Sequence, residues 1–133
     1  MSDDVTKPRL WTRRTWLTLA AMGGFVAVAV GAFAAHGIHD PKAQDWLRTG
    51  AIYGFMHTMA TFACAVVMEL GGRRARFAPV FFLAGTAIFS GTLYAMALGA
   101  PHWLGAITPI GGTMFLIGWG VLAWAARDVD RQA

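Results

Sequence analysis

Apolar residues in this chain neither alternate nor keep to one face. They fill four long runs, and nearly all charged residues fall in the terminal segments or the short links between runs. A helix that is apolar all round has no solvated side, and about 20 residues at ~1.5 Å each cross the ~30 Å hydrocarbon of a bilayer. The pattern therefore predicts spanning helices at Thr15 to His36, Trp46 to Leu70, Phe77 to Leu98 and Leu104 to Ala126. The expected fold class is all-α: a four-helix transmembrane bundle forming a single domain over residues 1–133, preceded by a basic segment over residues 1–14.

Punctuation marks the helix ends. Asp40-Pro41 is a capping carboxylate followed by proline at a first helical position, so the second helix begins at the interface and its hydrocarbon portion runs nearer Gly50 to Met68. Gly71-Gly72 ends it, and Gly99-Ala100-Pro101 ends the third. Pro79 falls in a first turn, where proline is tolerated. Thr108-Pro109 with Gly111-Gly112 predicts a bend in the fourth helix.

Composition agrees. With 56% hydrophobic and 14% charged residues, a soluble domain of this size would not stay in solution. A net charge of +4 suggests nucleic acid at first sight, but the basic residues cluster between apolar runs and not along one solvated face, so no nucleic-acid partner is expected. They report orientation instead. Lys7, Arg9, Arg13, Arg14, Arg73, Arg74, Arg76, Arg127 and Arg131 fall on one side of the four spans, and only Lys42 and Arg48 on the other. The positive-inside rule then places both termini and the middle link in the cytoplasm. Trp11, Trp16, Trp46, Trp103 and Trp124 lie near the expected interfaces, with Trp119 deeper. A competing reading takes the first run and Ala32-Phe33-Ala34 as a cleaved signal peptide; the run is longer than the usual apolar core of such a peptide, which favours a retained span. Cys64 has no intrachain disulfide partner and reads as a small buried side chain.

Small residues predict how the helices pack. Gly23, Ala27, Gly31 and Ala35 recur every fourth residue in the first span, Gly50, Gly54 and Thr58 in the second, and Ala87, Gly91, Ala95 and Gly99 in the third. Lipid tails are as apolar as leucine, so helices in a bilayer associate through the close backbone approach that small residues permit. These stripes serve either the bundle itself or self-association.

Polar residues within the runs are the functional leads, because hydrocarbon makes each of them costly. His36 ends the first helix, His57 lies about 10 to 16 Å down the second, and Ser90, Thr92, Tyr94 and Thr108 occupy the same half of the third and fourth. That distribution predicts a polar pocket in the outer half. Thr49, Tyr53 and His57 share a helix face at four-residue spacing. A structural role competes at every position: a neutral imidazole fastening two helices at His57, carbonyl capping at His36, hydroxyls bonded to their own helix at Ser90, Thr92 and Thr108, and an interfacial anchor at Tyr94. Glu69, four residues before Arg73, suggests an exposed ion pair.

Other chemistry lacks its parts. His36, His39, Asp40 and His102 can be drawn as an external metal site, but their spacing is not that of a known ligand set, and no metal is expected. A bis-histidine haem needs both ligands at one depth, which His36 and His57 do not offer, and no cofactor is expected. The sequence contains no nucleotide loop, no nucleophile with its base, and no paired intramembrane carboxylates.

Four ordered motifs carry a resemblance: Gly31-Ala32-Phe33-Ala34-Ala35-His36-Gly37; Tyr53 with His57; Phe89-Ser90-Gly91-Thr92-Leu93-Tyr94; and Ile107-Thr108-Pro109-Ile110-Gly111-Gly112 with Phe115 to Trp119. Together they resemble the YgdD-like family of small bacterial inner-membrane proteins over nearly the whole chain. Gly54 stands where the family pattern has glutamine after the tyrosine, and Ala34 where it has glycine. The resemblance implies four spans and a cytoplasmic-membrane location, and it brings no biochemical activity. The expected function is non-enzymatic: an accessory or assembly subunit acting in the lipid bilayer through a membrane-protein partner or self-association. The alternatives are a small-solute or proton transporter built around His57, and a haem- or quinone-binding oxidoreductase accessory.

Overall fold

A computed structural model describes residues 9–131. Lys7 lies outside them, and the leading basic segment is described only from Arg9. The helices are α1 (Arg13–His36), α2 (Pro41–Glu69), α3 (Ala78–Ala97) and α4 (Thr108–Ala126), with 3-10 turns at Arg73–Phe77 and His102–Ala106 before α3 and α4. No strand occurs among the described residues. All four helices are long and apolar enough to cross a membrane.

Local chemistry sets the boundaries. The Thr12 hydroxyl accepts from the Thr15 amide and starts α1 two residues before the expected Thr15. The Asp40 carboxylate accepts from the Ala43 amide at 3.0 Å, so α2 begins at Pro41, well before Trp46. Gly71 (φ +108°) and Gly99 (φ +104°) take the left-handed conformation that ends α2 and α3. The expected bend at Thr108-Pro109 is instead the start of α4: Pro109 occupies the first turn, where its missing N–H costs nothing, and residues 102–106 form the preceding 3-10 turn.

Packing follows a heptad along α2 and α4, and the every-fourth-residue stripes hold only in part: Gly50, Gly54 and Thr58 on α2 are all buried. Four residues advance a helix by 400°, so a strict i+4 series drifts by about 40° per step, whereas alternating steps of four and three hold one face. Buried positions on α2 include Ala43, Leu47, Gly50, Gly54, His57, Thr61 and Cys64, and on α4 they are Thr108, Gly111, Phe115, Gly118, Leu122 and Ala125. On α1, Gly23, Ala27 and Gly31 face α2, but the drift leaves Ala35 exposed while Ala34 is buried. On α3 the buried face includes Ala78, Phe82, Gly85, Leu93 and Met96; Ala87 and Gly91 point outward and Ala95 is only half-buried.

Each helix packs mainly on its chain neighbours. Between the long helices, α1 lies on α2, α2 on α3 and α3 on α4, while α1 and α4 share no contact. The bundle is therefore open. Its outer surface carries residues such as Phe25 (76% exposed) and Leu116 (73%), whereas His57 is 3% exposed, the reverse of a soluble protein and the distribution that lipid requires.

At the arginine-rich end, Glu69 pairs with Arg13 across α1 and α2 and not with Arg73. The reason is that α2 ends at Glu69, which removes Arg73 from the helical position one turn on. Asp128 receives both Arg74 and Arg131 at 3.0 Å, and Arg74 lies over the Trp124 ring at 4.3 Å.

Candidate functional site

His57 lies on the inward face of α2, and both of its ring nitrogens are engaged. Nδ1 is 2.6 Å from the Tyr53 carbonyl, which can only accept, so Nδ1 carries the proton. Nε2 then accepts from the Trp119 indole N–H at 3.0 Å. The two partners together select the neutral Nδ1–H tautomer.

Aromatic rings from three helices enclose the imidazole. Phe115 of α4 stacks on it with centroids 3.5 Å apart and planes 6° off parallel. Phe82 of α3 stands 5.8 Å away, and the Tyr53 ring 6.1 Å away on the same helix. Phe82 and Trp119 meet edge to face at 5.2 Å, and Phe89 joins Tyr53 and Phe115 at 5.0 and 5.4 Å. Tyr53 reaches the imidazole through its main-chain carbonyl and its ring face.

Glycines make this closeness possible. A Cβ on Gly118 would fall 2.6 Å from the Phe82 ring, and one on Gly85 2.8 Å from Phe115. At Gly111 the neighbours are main chain: its Cβ would meet the Phe89 main-chain nitrogen at 2.6 Å and the Gly85 carbonyl oxygen at 2.8 Å, so α3 and α4 touch backbone to backbone. Gly85 and Gly118 are not part of the i+4 stripes; the heptad on α4 is the signal that points to Gly118.

The remaining polar residues do not join His57 in one pocket. Ser90 donates to the Gly50 carbonyl at 2.6 Å, tying α3 to α2. The Tyr94 ring lies on Gly50, where a Cβ would come within 2.6 Å of it, and Gly54 makes room for Ser90. Thr92 and Thr108 share a 2.6 Å hydrogen bond between α3 and α4. His36 is exposed at the end of α1, as is Thr49 on α2. In hydrocarbon an unpaired hydroxyl is expensive, so each group takes the nearest carbonyl or hydroxyl and not a shared cavity. Among the described residues no buried side-chain nitrogen or oxygen lacks a partner.

Depth is also corrected. Phe82 is four residues, about 6 Å, from the start of α3, and Trp119 is seven residues, about 10 Å, from the end of α4. Their contacts with His57 place it toward the arginine-rich half of the bundle and not in the opposite half. Counted from the start of α2 at Pro41, His57 is sixteen residues, about 24 Å, along the helix and twelve, about 18 Å, from its end at Glu69, so a count begun at Trp46 or Gly50 makes it too shallow.

The external histidines stay apart from any ligand set. His102 stands edge-on to Trp46 at 5.2 Å, and no three His, Cys, Asp or Glu residues converge among those described.

Comparison with known proteins agrees with this architecture. The family described as "Protein of unknown function (DUF423)" matches residues 30–112. The UPF0382 membrane protein of Haemophilus influenzae is 44% identical over 117 residues, covering 86% of this chain and 94% of the relative. The UPF0382 inner membrane protein YgdD of Escherichia coli is 37% identical over 128 residues, covering 91% and 95%. The UPF0382 membrane protein YwdK of Bacillus subtilis is 34% identical over 119 residues, covering 85% and 96%. No solved structure matches. With four apolar helices and relatives of this kind over most of its length, the chain is a multi-pass bacterial inner-membrane protein and belongs to the DUF423 (UPF0382) family.

Proposed function

We propose that this protein is a non-enzymatic accessory or assembly subunit, with both termini in the cytoplasm, that acts by helix contact with another membrane protein or a second copy of itself. The observation that carries this reading is the free outer face of α4. At Gly120 a Cβ would meet nothing within 4 Å, and exposed Leu116 and Trp124 flank it one turn away on either side. A glycine between two large apolar side chains forms a notch into which a partner helix can approach closely. The orientation is supported by Arg9, Arg13, Arg14, Arg73, Arg74, Arg76, Arg127 and Arg131, which flank the same ends of the four helices, opposite Lys42 and Arg48.

The hydrogen bonding of the interior favours this over transport. His57, Ser90, Thr92 and Thr108 are already bonded within the bundle, and the imidazole is enclosed by rings and not by a water-filled path. Purification at native expression in mild detergent tests the proposal: a partner or second copy retained by the native chain and lost with Gly120→Leu is the expected result. A solitary protein in both preparations would overturn it, as would solute or proton flux in proteoliposomes that His57→Ala abolishes.

A further inference from the structure

We propose that the groove between α1 and α3 binds one acyl chain of an anionic phospholipid, whose phosphate is taken by Arg76. The helices α1 and α3 barely meet, and between them α2 forms the floor of a groove of about 560 Å³ open along one side. Leu19, Gly23 and Val26 make one wall and Leu83, Ala87 and Gly91 the other. Hydroxyls that line the groove are bonded within the bundle, Thr58 donating to the Phe55 carbonyl, Thr86 to that of Phe82 and Ser90 to that of Gly50, so the groove presents a largely apolar surface.

Its dimensions select the occupant. From Val80 to Tyr94 the groove follows α3 for fourteen residues, about 21 Å. A single extended hydrocarbon chain can lie along a groove of this length, with the walls of α1 and α3 on either side. The stretch from Val80 to Gly91 is about 16 Å, the depth of one leaflet.

Charge complementarity fixes the headgroup. Trp11 and Val80 also line a second recess of about 550 Å³ at the arginine-rich end, whose other walls include Arg13, Trp16, Arg76 and Phe77. Arg13 is held by Glu69, whereas Arg76 has no carboxylate partner among the described residues and lies over the Phe77 ring at 4.6 Å. A guanidinium held at the mouth of an acyl-chain groove matches a phosphate, and the exposed indole of Trp11 suits the glycerol and ester region beside it. A further arginine at this end, Arg14, favours a headgroup with no amine of its own.

Native mass spectrometry of the full chain in mild detergent, titrated with phosphatidylglycerol or phosphatidylcholine, tests this. The native protein should bind one phosphatidylglycerol in preference to phosphatidylcholine. Arg76→Gln should weaken phosphatidylglycerol about fivefold, the scale of one basic residue at a membrane surface, and remove the preference. Ala87→Phe, at an exposed wall position, should weaken both lipids. Gly91→Leu should do the same, at a position where a Cβ meets nothing within 4 Å. Arg73→Gln makes the same charge change outside the recess and should leave binding within twofold. Equal binding of the two lipids, an equal loss with Arg73→Gln, retention of lipid by both groove variants, binding of soluble glycerol phosphate as tight as that of the lipid, or a dimer that dissociates with Ala87→Phe would each overturn the proposal.

Discussion

The indole N–H of Trp119 on α4 donates to Nε2 of His57 on α2 at 3.0 Å, joining two helices that otherwise meet at few places. Chain neighbours are held together by glycine contacts along their lengths. This diagonal pair instead depends on one hydrogen bond and the rings around it.

Trp119→Phe removes the donor and leaves Nε2 without a partner in a ring-lined site. Interhelical hydrogen bonds in membranes average about 0.6 kcal/mol and reach about 1.7, and the upper part of that range is expected here because the acceptor stays buried. His57→Phe combined with Trp119→Phe should cost less than the sum of the two single changes, since the orphaned acceptor is gone. Reversible unfolding in mixed detergent gives all four values. Strict additivity would mean that the bond contributes nothing.

Gly111→Ala and Gly120→Ala should have opposite effects although both lie on α4. At Gly111 the new methyl group would meet main-chain atoms of α3 at 2.6 to 2.8 Å, so the helices must separate, and a loss of about 1–3 kcal/mol is expected. At Gly120 it enters open space, and alanine's better helix propensity should stabilise the monomer by up to about 1 kcal/mol. The same unfolding assay compares them. Equal effects would contradict the α3–α4 crossing described above.

How much of this the sequence disclosed depends on the length scale of the interaction. Four spans were legible because apolar length is a property of each segment alone, and Asp40-Pro41, Gly71 and Gly99 act within a few residues of themselves. The packing face was only half legible. Gly23 and Gly54 were found because they lie in small-residue stripes that meet a neighbour, while Ala87 and Gly91 satisfy the same rule and face outward; nothing local distinguishes the two cases. Of the partners of His57, Tyr53 was legible as the residue one turn away on the same face, and Trp119 was not: it lies sixty-two residues away, and no pattern within either helix links the two.

The ion pairs of Asp128 fasten the segment after α4 to the link before α3, supported by a hydrogen bond from the Asp130 amide to the Leu70 carbonyl at 3.1 Å. Arg74 and Arg131 are exposed, so Asp128→Asn should cost no more than about 1 kcal/mol of global stability, and less at high salt. The local effect should be larger. Trypsin should cleave at Arg127 or Arg131 several-fold faster in the variant under native conditions. Unchanged cleavage would show that the main-chain bond alone holds the segment.

The sidedness of the membrane can be tested against a silent background, because the one native cysteine, Cys64, is fully buried. His39→Cys lies in the α1–α2 link, with Lys42 and Arg48 nearby, and Arg127→Cys lies just beyond α4 at the arginine-rich end. With the arginines in the cytoplasm, a membrane-impermeant maleimide should label position 39 in intact spheroplasts and position 127 only after the membrane is opened. Replacing an arginine at 127 removes one of many basic residues at that end and leaves Asp128 with both of its partners. The opposite labelling would invert the protein in the membrane and move the arginine-lined recess to the outer leaflet. Labelling of both positions in intact spheroplasts would mean that the two lie on one side, which an even number of spans between α1's far end and α4's end would require and three spans forbid.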